Sequence, residues 1–103
     1  MTVEKNMFTS KERSNLRSMA QNVKPITQVG KGGISDALVD SLSKALEARE
    51  LIKISVLNNA DDDAREIAEE LATQLSAEVV SVIGKKIILY RRSSKKDFDH
   101  IVF

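Results

Sequence analysis

Residues 30–33 read Gly-Lys-Gly-Gly and contain three of the chain's four glycines. Glycine accepts positive φ angles and leaves no side chain between the backbone N–H groups and a ligand. A helix predicted to begin just after this loop would add unpaired N–H donors and a partial positive charge. Lys31 supplies a full charge at the same place. These residue types at this spacing favour the binding of an anionic oxygen, such as that of a phosphate.

Two common nucleotide-binding motifs do not fit this loop. A Walker loop ends in Gly-Lys-Ser/Thr, whereas Gly33 is followed here by Ile34 and Ser35. A Rossmann fingerprint that started at Gly30 would need glycine or alanine at the position of Ser35. What remains is a GxxG loop, the element with which KH-type domains clamp a nucleic-acid backbone. A strand-to-helix turn that only needs positive φ explains the same glycines equally well.

Residues that could catalyse a reaction or bind a metal are sparse. His100 is the only histidine, and the sequence shows no partner that would orient it for nucleophilic catalysis. Asp61, Asp62 and Asp63 lack the alternating spacing and central glycine of a calcium loop. The chain has no cysteine, which excludes a thiolate metal site and a cysteine nucleophile. We therefore predict that the protein is not an enzyme and has no metal, cofactor or small-molecule substrate.

The hydrophobic pattern predicts three helices and four strands in the order α-β-α-β-α-β-β. The first helix is capped at Thr9 or Ser10, with Glu12 as capping-box partner, and it stops before Pro25. Ser35 caps the second helix, and the aspartates of residues 61–63 suit the N-terminus of the third. The predicted strands are residues 25–29, residues 51–57, and the two runs EVVSVI and KIILYR, which a type II′ turn joins at residues 84–85.

The order of these elements predicts the fold. Two strand–helix–strand connections favour parallel pairing with right-handed crossovers, and the final hairpin adds an antiparallel strand. Ile52, Ile54 and Val56 alternate with Lys53 and Ser55, which predicts a sheet with one partly wet face. We therefore expect a two-layer α/β fold, in which a small mixed four-stranded sheet carries helices packed mainly on one face.

The formal net charge of +1 conceals a segregation of charges along the chain. Glu12 is the one acid in residues 11–31, Arg65 is the one base in residues 58–78, and residues 84–96 contain no acid. Residues 11–31 and 84–96 are thus two basic blocks, and residues 58–78, which include the third helix, are acidic. If the two basic blocks meet in the fold, they form a surface for a polyanion, and the acidic helix faces elsewhere. Charges that merely coat solvated faces would give the same pattern.

Three longer stretches, LRSMAQNVKPITQVGKGGIS, ALEARELIKISV and VIGKKIILYR, resemble a known family. They are similar to the CRM domain (chloroplast RNA splicing and ribosome maturation), and specifically to its stand-alone bacterial form, the YhbY-like proteins. In the family's pattern a Lys-Pro pair precedes the first strand, as Lys24 and Pro25 do here, and the GxxG loop follows. The family's Glu-Leu-Ile-Lys, Ile-Gly-Lys and Leu-Tyr-Arg segments are matched at residues 50–53, 83–85 and 89–91. The resemblance covers residues 9–92.

The resemblance implies a fold like the C-terminal domain of bacterial translation initiation factor three. It also implies binding of ribosomal RNA in precursors of the large ribosomal subunit. The expected organisation is an N-terminal extension at residues 1–8, one RNA-binding domain at residues 9–92 and a flexible basic tail at residues 93–103, although Phe98, Ile101 and Phe103 could dock back. No stretch approaches the roughly 20 apolar residues that span a bilayer, so we expect a cytoplasmic protein with no membrane partner. We also expect a monomer.

We predict that backbone N–H groups of Gly32 and Gly33, with Lys31, hold a phosphate and that basic residues extend this track. The complete set of predicted RNA-binding residues is Gly30, Lys31, Gly32, Gly33, Lys24, Lys11, Arg13, Arg17, Lys85, Lys86 and Arg91. Aromatic residues make up 4% of the chain, so backbone and shape recognition should dominate over stacking on Tyr90 or Phe8. The alternative is a protein-interaction adaptor that uses the acidic third helix, with a purely structural glycine loop.

Overall fold

The computed structural model describes residues 8–60 and 62–103. In this part of the chain the predicted order of helices and strands is confirmed. These elements are α1 (Ser10–Ala20), β1 (Thr27–Val29), α2 (Asp36–Arg49), β2 (Leu51–Val56), α3 (Ala64–Leu75), β3 (Glu78–Ile83) and β4 (Lys86–Tyr90). The predicted N-terminal extension lies outside the described residues except for Phe8, and so does Asp61.

The helices begin where the capping residues predict. The Thr9 hydroxyl accepts a hydrogen bond from the Glu12 N–H at 3.0 Å, and the Glu12 carboxylate accepts one from the Thr9 N–H at 3.0 Å. Asp63 and Glu66 form a second capping box before α3, and the Ser35 hydroxyl caps α2. Because these caps satisfy N–H groups that the first turn leaves unpaired, they fix the residue at which each helix begins.

The four strands form one mixed sheet in the order β1-β2-β4-β3. β1 runs parallel to β2, and the pairs β2–β4 and β3–β4 are antiparallel. Ile83 pairs with Lys86 across a two-residue turn, and Gly84 at the first central position has a φ of 58°. This positive φ is the one that the predicted type II′ hairpin requires of its first turn residue.

The sheet buries apolar side chains on both of its faces. One face packs against α2 and α3 in a cluster that includes Ile52, Ile54, Ile87 and Leu89. The opposite face packs against α1, in a second cluster formed by Leu16, Ala20, Leu51, Val80, Ile88 and Tyr90. Two helices therefore share one face, as expected, while α1 adds a partial third layer. Periodicity identifies the apolar stripe of α1 but does not indicate which sheet face receives it.

The C-terminal segment, residues 93–103, is packed against the domain, which corrects the prediction of a flexible tail. Ile101 and Phe103 pack against the second cluster, and the Phe103 ring centroid lies 5.1 Å from that of Tyr90. The Phe8 ring lies 5.7 Å from Tyr90 and 5.5 Å from Phe103. Ile101 and Phe103 bury part of their apolar surface against this cluster, which favours docking over a solvated terminus.

Glu50, at the junction of α2 and β2, anchors the C-terminal segment. Its buried carboxylate accepts hydrogen bonds from the Ser93 N–H at 2.7 Å and the Ile101 N–H at 2.8 Å, and it contacts Nδ1 of His100. Burial alone would raise the pKa of Glu50, but these hydrogen bonds and the charge of His100 lower that pKa overall. Glu50 also has a φ of 67°, a backbone conformation that few residues other than glycine adopt.

The substitution Glu50→Gln should lower the free energy of unfolding by about 1.5–3 kcal/mol, because it removes the charged acceptor and places an NH2 donor against one of the two N–H groups. Since folding lowers the pKa of Glu50, its contribution is complete above the ordinary glutamate pKa and is lost as the pH falls through the folded value. Urea unfolding at neutral and acidic pH should therefore show a difference from wild type that shrinks in acid. Glu69→Gln, an exposed change on α3, is the matched control. Equal stability of the two variants at neutral pH would contradict the anchoring role.

Candidate nucleic-acid interface

One end of the sheet face that carries α1 is left uncovered. Directly paired residues across the sheet face the same way, and so do residues two apart along a strand. The register therefore places side chains from all four strands on this open end, which we call the platform: Gln28 of β1, Lys53 and Ser55 of β2, Lys86 of β4 and Ile83 of β3. The platform is the part of this sheet face that lies beyond the second apolar cluster.

The last turn of α1 and the segment after it border the platform. Arg17 and Gln21 lie one turn apart, and with Lys53, Ile83, Lys86 and Ile88 they line a hollow of about 310 Å³, the α1 depression. A second hollow, of about 650 Å³, is lined by Lys24, residues 25–28 and Ser55. Because Lys53 and Ser55 are neighbours on the same face of β2, the two hollows adjoin each other.

The cations around the platform have no acidic partner within the described part of the chain. The ion pairs formed there are Lys44 with Asp40, Arg91 with Glu47 and His100 with Glu50. The remaining basic residues of this surface, Arg17, Lys24, Lys53 and Lys86, make no such pair with residues 8–60 or 62–103. Like charges held together without counter-charges repel one another, so a bound anion would stabilise this arrangement.

The glycine loop is a tight turn at the same end of the sheet. The Gly33 N–H donates to the Gly30 carbonyl at 3.0 Å. Gly32, with a φ of 102°, occupies the third position, as in a type II turn. The Gly33 N–H is thus bonded within the turn, and this corrects the prediction that it holds a phosphate. The Gly32 N–H has no acceptor among residues 8–60 and 62–103, and Lys31 beside it is exposed.

The β3–β4 hairpin brings the second basic block to this end of the sheet. The Lys85 carbonyl accepts a hydrogen bond from the N–H of Val56, the last residue of β2, at 2.8 Å. The Leu57 N–H donates a hydrogen bond to the carbonyl of Val29, the last residue of β1, again at 2.8 Å. Neighbouring strands lie about 4.8 Å apart, so β1 and β4 are separated by about 10 Å. The glycine loop, with Lys31, and the hairpin, with Lys85 and Lys86, therefore lie at the same end of the sheet.

Arg91 is held on the opposite face of the sheet. It lies two residues after Leu89, so its side chain points toward α2 and α3. Its guanidinium donates to the Leu75 carbonyl at 2.8 Å and to the Ser43 carbonyl at 3.0 Å, and it pairs with Glu47 at 3.0 Å. Since these contacts occupy the guanidinium inside the protein, Arg91 does not belong to the candidate interface.

Arg13 and Lys11 also lie apart from the platform. The Arg13 guanidinium donates to the carbonyls of Val79 and Val80, at 2.6 and 3.1 Å, where a bulge interrupts the β3–β4 ladder. It also lies 5.4 Å from the centre of the Phe8 ring. Lys11 is exposed near the start of α1, and no described contact joins it to the platform.

Lys53 is the interface candidate that the sequence-based residue set omits. The alternation in β2 placed it on the wet face, and the Glu-Leu-Ile-Lys match of the family pattern ended on it. The missing information was that α1 leaves this end of the face open. In the structure Lys53 is half-buried and lines the α1 depression together with Arg17 and Lys86.

Acidic residues of α3 and of the segment just before it border the glycine loop, although we expected the acidic helix to face elsewhere. Asp62, Glu66 and Glu70 line a groove of about 560 Å³ together with Gly32 and Gly33. A phosphate in this groove would meet carboxylates, which repel it. An anion that binds the loop must therefore approach from the platform side.

Neither a metal site nor a membrane-spanning helix occurs in the part of the chain that the structure describes. No cluster of histidine, aspartate and glutamate side chains there could hold a metal ion. The helices formed by those residues are too short or too polar to cross a bilayer.

Comparison with known proteins gives the family. The CRS1 / YhbY (CRM) domain matches residues 8–91. The chain belongs to the CRM domain family. This CRM domain is 45% identical over 89 residues to the probable RNA-binding protein YqeI of Bacillus subtilis, covering 86% of this chain and 93% of that protein. It is 30% identical over 88 residues to the probable RNA-binding protein PA4753 of Pseudomonas aeruginosa, covering 85% of each.

A solved structure confirms the fold of this CRM domain. The solution structure of the hypothetical protein SAV1595 from Staphylococcus aureus superposes with a TM-score of 0.74 at 44% identity, covering 93% of this chain and 99% of that one. The α/β fold with its mixed four-stranded sheet and the resemblance to the YhbY-like proteins are therefore both confirmed. The two relatives are named as RNA-binding proteins and not as enzymes, in agreement with the non-enzymatic prediction.

The glycine loop of this CRM domain allows a direct test of its backbone. Gly33 has a φ of 64°, and a Cβ added there would meet no atom within 4 Å, so strain alone opposes a side chain. Gly33→Val should lower the free energy of unfolding by about 1–2 kcal/mol, whereas Gly33→Asn should be much less destabilising because asparagine tolerates the left-handed region. Urea unfolding compares the two variants. Equal destabilisation by both would contradict this conformation.

Proposed function

We propose that this CRM domain is an RNA-binding protein and that RNA lies across the platform and the glycine loop. The observation that carries the proposal is the meeting of two basic blocks, distant in sequence, at one open end of the sheet without acidic partners. RNA is the polyanion that the names of the relatives suggest. Phosphate contacts by lysine and arginine supply affinity that does not depend on base sequence.

The proposed mechanism combines a loop contact with a charged track. The Gly32 N–H and Lys31 hold one phosphate, while Lys53 and Lys86 hold others on the platform. Lys24, Arg17 and Lys85 extend the track to the edges of the same surface. The rings of Tyr90 and Phe8 pack against each other at the far end of the face, so they are not available for base stacking. Recognition then rests on backbone and shape.

We further propose that the RNA is ribosomal RNA in precursors of the large ribosomal subunit, bound by a cytoplasmic monomer. The support is the match of this chain to the stand-alone bacterial form of the family, since it spans 93% of the Bacillus subtilis relative. An assembly factor that binds structured precursors also fits a surface that contacts phosphates rather than base edges.

The double variant Lys53→Gln/Lys86→Gln tests the platform. It should bind ribosomal RNA fragments more weakly, and the slope of log affinity against log salt should become shallower by about 0.7–0.9 for each phosphate that the protein no longer neutralises. Fluorescence anisotropy over a series of salt concentrations measures both quantities. Lys44→Gln removes the same kind of charge from α2, on the opposite sheet face, and serves as the control. Identical slopes for the wild type and both variants would rule out the platform as the RNA site.

The ribosomal assignment has a separate test in cells that express the protein. Ultraviolet crosslinking and sequencing should recover large-subunit ribosomal RNA, and the protein should sediment with large-subunit precursors. The yield of crosslinks should fall in the Lys53→Gln/Lys86→Gln variant, because electrostatic contacts hold the RNA. Enrichment of other RNAs without ribosomal RNA would remove the ribosomal assignment and leave RNA binding in place.

A protein-interaction adaptor that uses α3 is the second candidate. The groove lined by Asp62, Glu66 and Glu70 beside the glycine loop favours it, since such a surface suits a basic partner. An adaptor would bind RNA weakly with little dependence on salt, and it would keep a protein partner after nuclease treatment.

A further inference from the structure

We infer that the α1 depression holds one unpaired nucleotide of the bound RNA, whose base lies against Ile83 and Ile88. The inference rests on the RNA binding proposed above and specifies the class of RNA, namely a strand with an unstacked nucleotide rather than a continuous duplex. It assigns a role to the exposed side chain of Ile83, which contacts with phosphates alone do not explain.

The floor of the depression is apolar although its rim is cationic. Ile83 and Ile88 both line it; Ile83 is 55% exposed, whereas Ile88 belongs to the second apolar cluster and is only 3% exposed. A phosphate forms no favourable contact with an isoleucine side chain, and exposure of that side chain to water is unfavourable. The flat face of a nucleobase, in contrast, is the part of RNA that packs on apolar side chains when a base is turned out of its helix.

The rim carries the groups that an extruded nucleotide needs. The planar guanidinium of Arg17 can stack on the other face of a base, as arginine does in single-stranded RNA sites. Lys53 and Lys86, as point charges, suit the phosphates on either side of the nucleotide. Gln21 offers an amide donor and acceptor to the edge of the base. All four side chains line the same hollow.

The size of the depression favours one nucleotide over a helix. Its volume of about 310 Å³ lies at the lower end of the range of roughly 300–1,000 Å³ typical of sites for small ligands. A duplex could lie over the platform but could not enter the depression, because its bases are paired and stacked. The adjoining hollow, lined by Lys24, residues 25–28 and Ser55, gives the flanking strand room along β1.

Three hairpin RNAs that differ at a single position test the inference: one with a bulged adenosine, one with an abasic bulge and one without a bulge. The wild-type protein should bind the bulged adenosine about five- to tenfold more tightly than the other two, the low end of what base stacking contributes in single-strand sites. A 2-aminopurine at the bulge should change its fluorescence on binding, because its environment changes from solvent to the depression.

Ile83→Ala separates the base contact from the charge contacts. Because Ile83 is largely exposed, the variant should stay folded, with an unchanged melting temperature. It should lose the preference for the bulged adenosine while keeping the salt dependence of the wild type. Val102→Ala, which truncates another exposed apolar side chain (87% exposed) in the C-terminal segment, is the control and should keep the preference.

Each result decides a different claim. Salt-dependent binding of equal strength to all three RNAs would overturn the nucleotide site and leave the proposed RNA binding intact. Absence of binding to all three would overturn both. Displacement of the bulged RNA by equal concentrations of free adenosine monophosphate would indicate a small-molecule site and also overturn the inference. Disappearance of the preference in Ile83→Ala alone supports it.

Discussion

The packing of Leu16 and Ala20 against one end of the second sheet face determines how much of that face remains for a ligand. The strands alternate, so β2 and β4 present side chains to both faces, and each face must be covered or polar. α2 and α3 cover the first face. α1 covers only the far end of the second, where the aromatic contacts and Glu50 also fix the C-terminal segment. The uncovered part of the second face is the platform, where Lys53 and Lys86 stand in place of apolar residues.

The sequence was sufficient to predict the elements and the mixed sheet, but not the contacts between residues distant in the chain. The capping pair Thr9 and Glu12 was predictable because both contacts lie within one helical turn. The docking of residues 93–103 was not, since it depends on Glu50, more than forty positions earlier in the chain. Arg91 shows the same limit. The alternation of side chains along the strand places Arg91 on the same sheet face as Leu89. Only the packing of α2 and α3 shows that this face is covered by helices.

The candidate site follows the same division. The charge blocks and the GxxG pattern indicated an anion site at residues 30–33, and the sheet register brought the second block beside it. The sequence did not reveal that the Gly33 N–H donates a hydrogen bond within the turn, because a GxxG pattern does not specify the turn type. It also did not reveal that acidic residues of α3 lie beside the loop. With carboxylates on one flank and lysines on the other, the loop lies in a directional field that can orient an approaching polyanion.

The meeting of Phe8 and Phe103 has a consequence for how such a domain can be built into larger chains. Their rings are 5.5 Å apart, and both pack on Tyr90 at the end of the sheet face opposite the platform. Phe8 and Phe103 therefore lie close together, away from the platform. This geometry permits insertion into a host loop, tandem repetition or terminal fusion to a reporter.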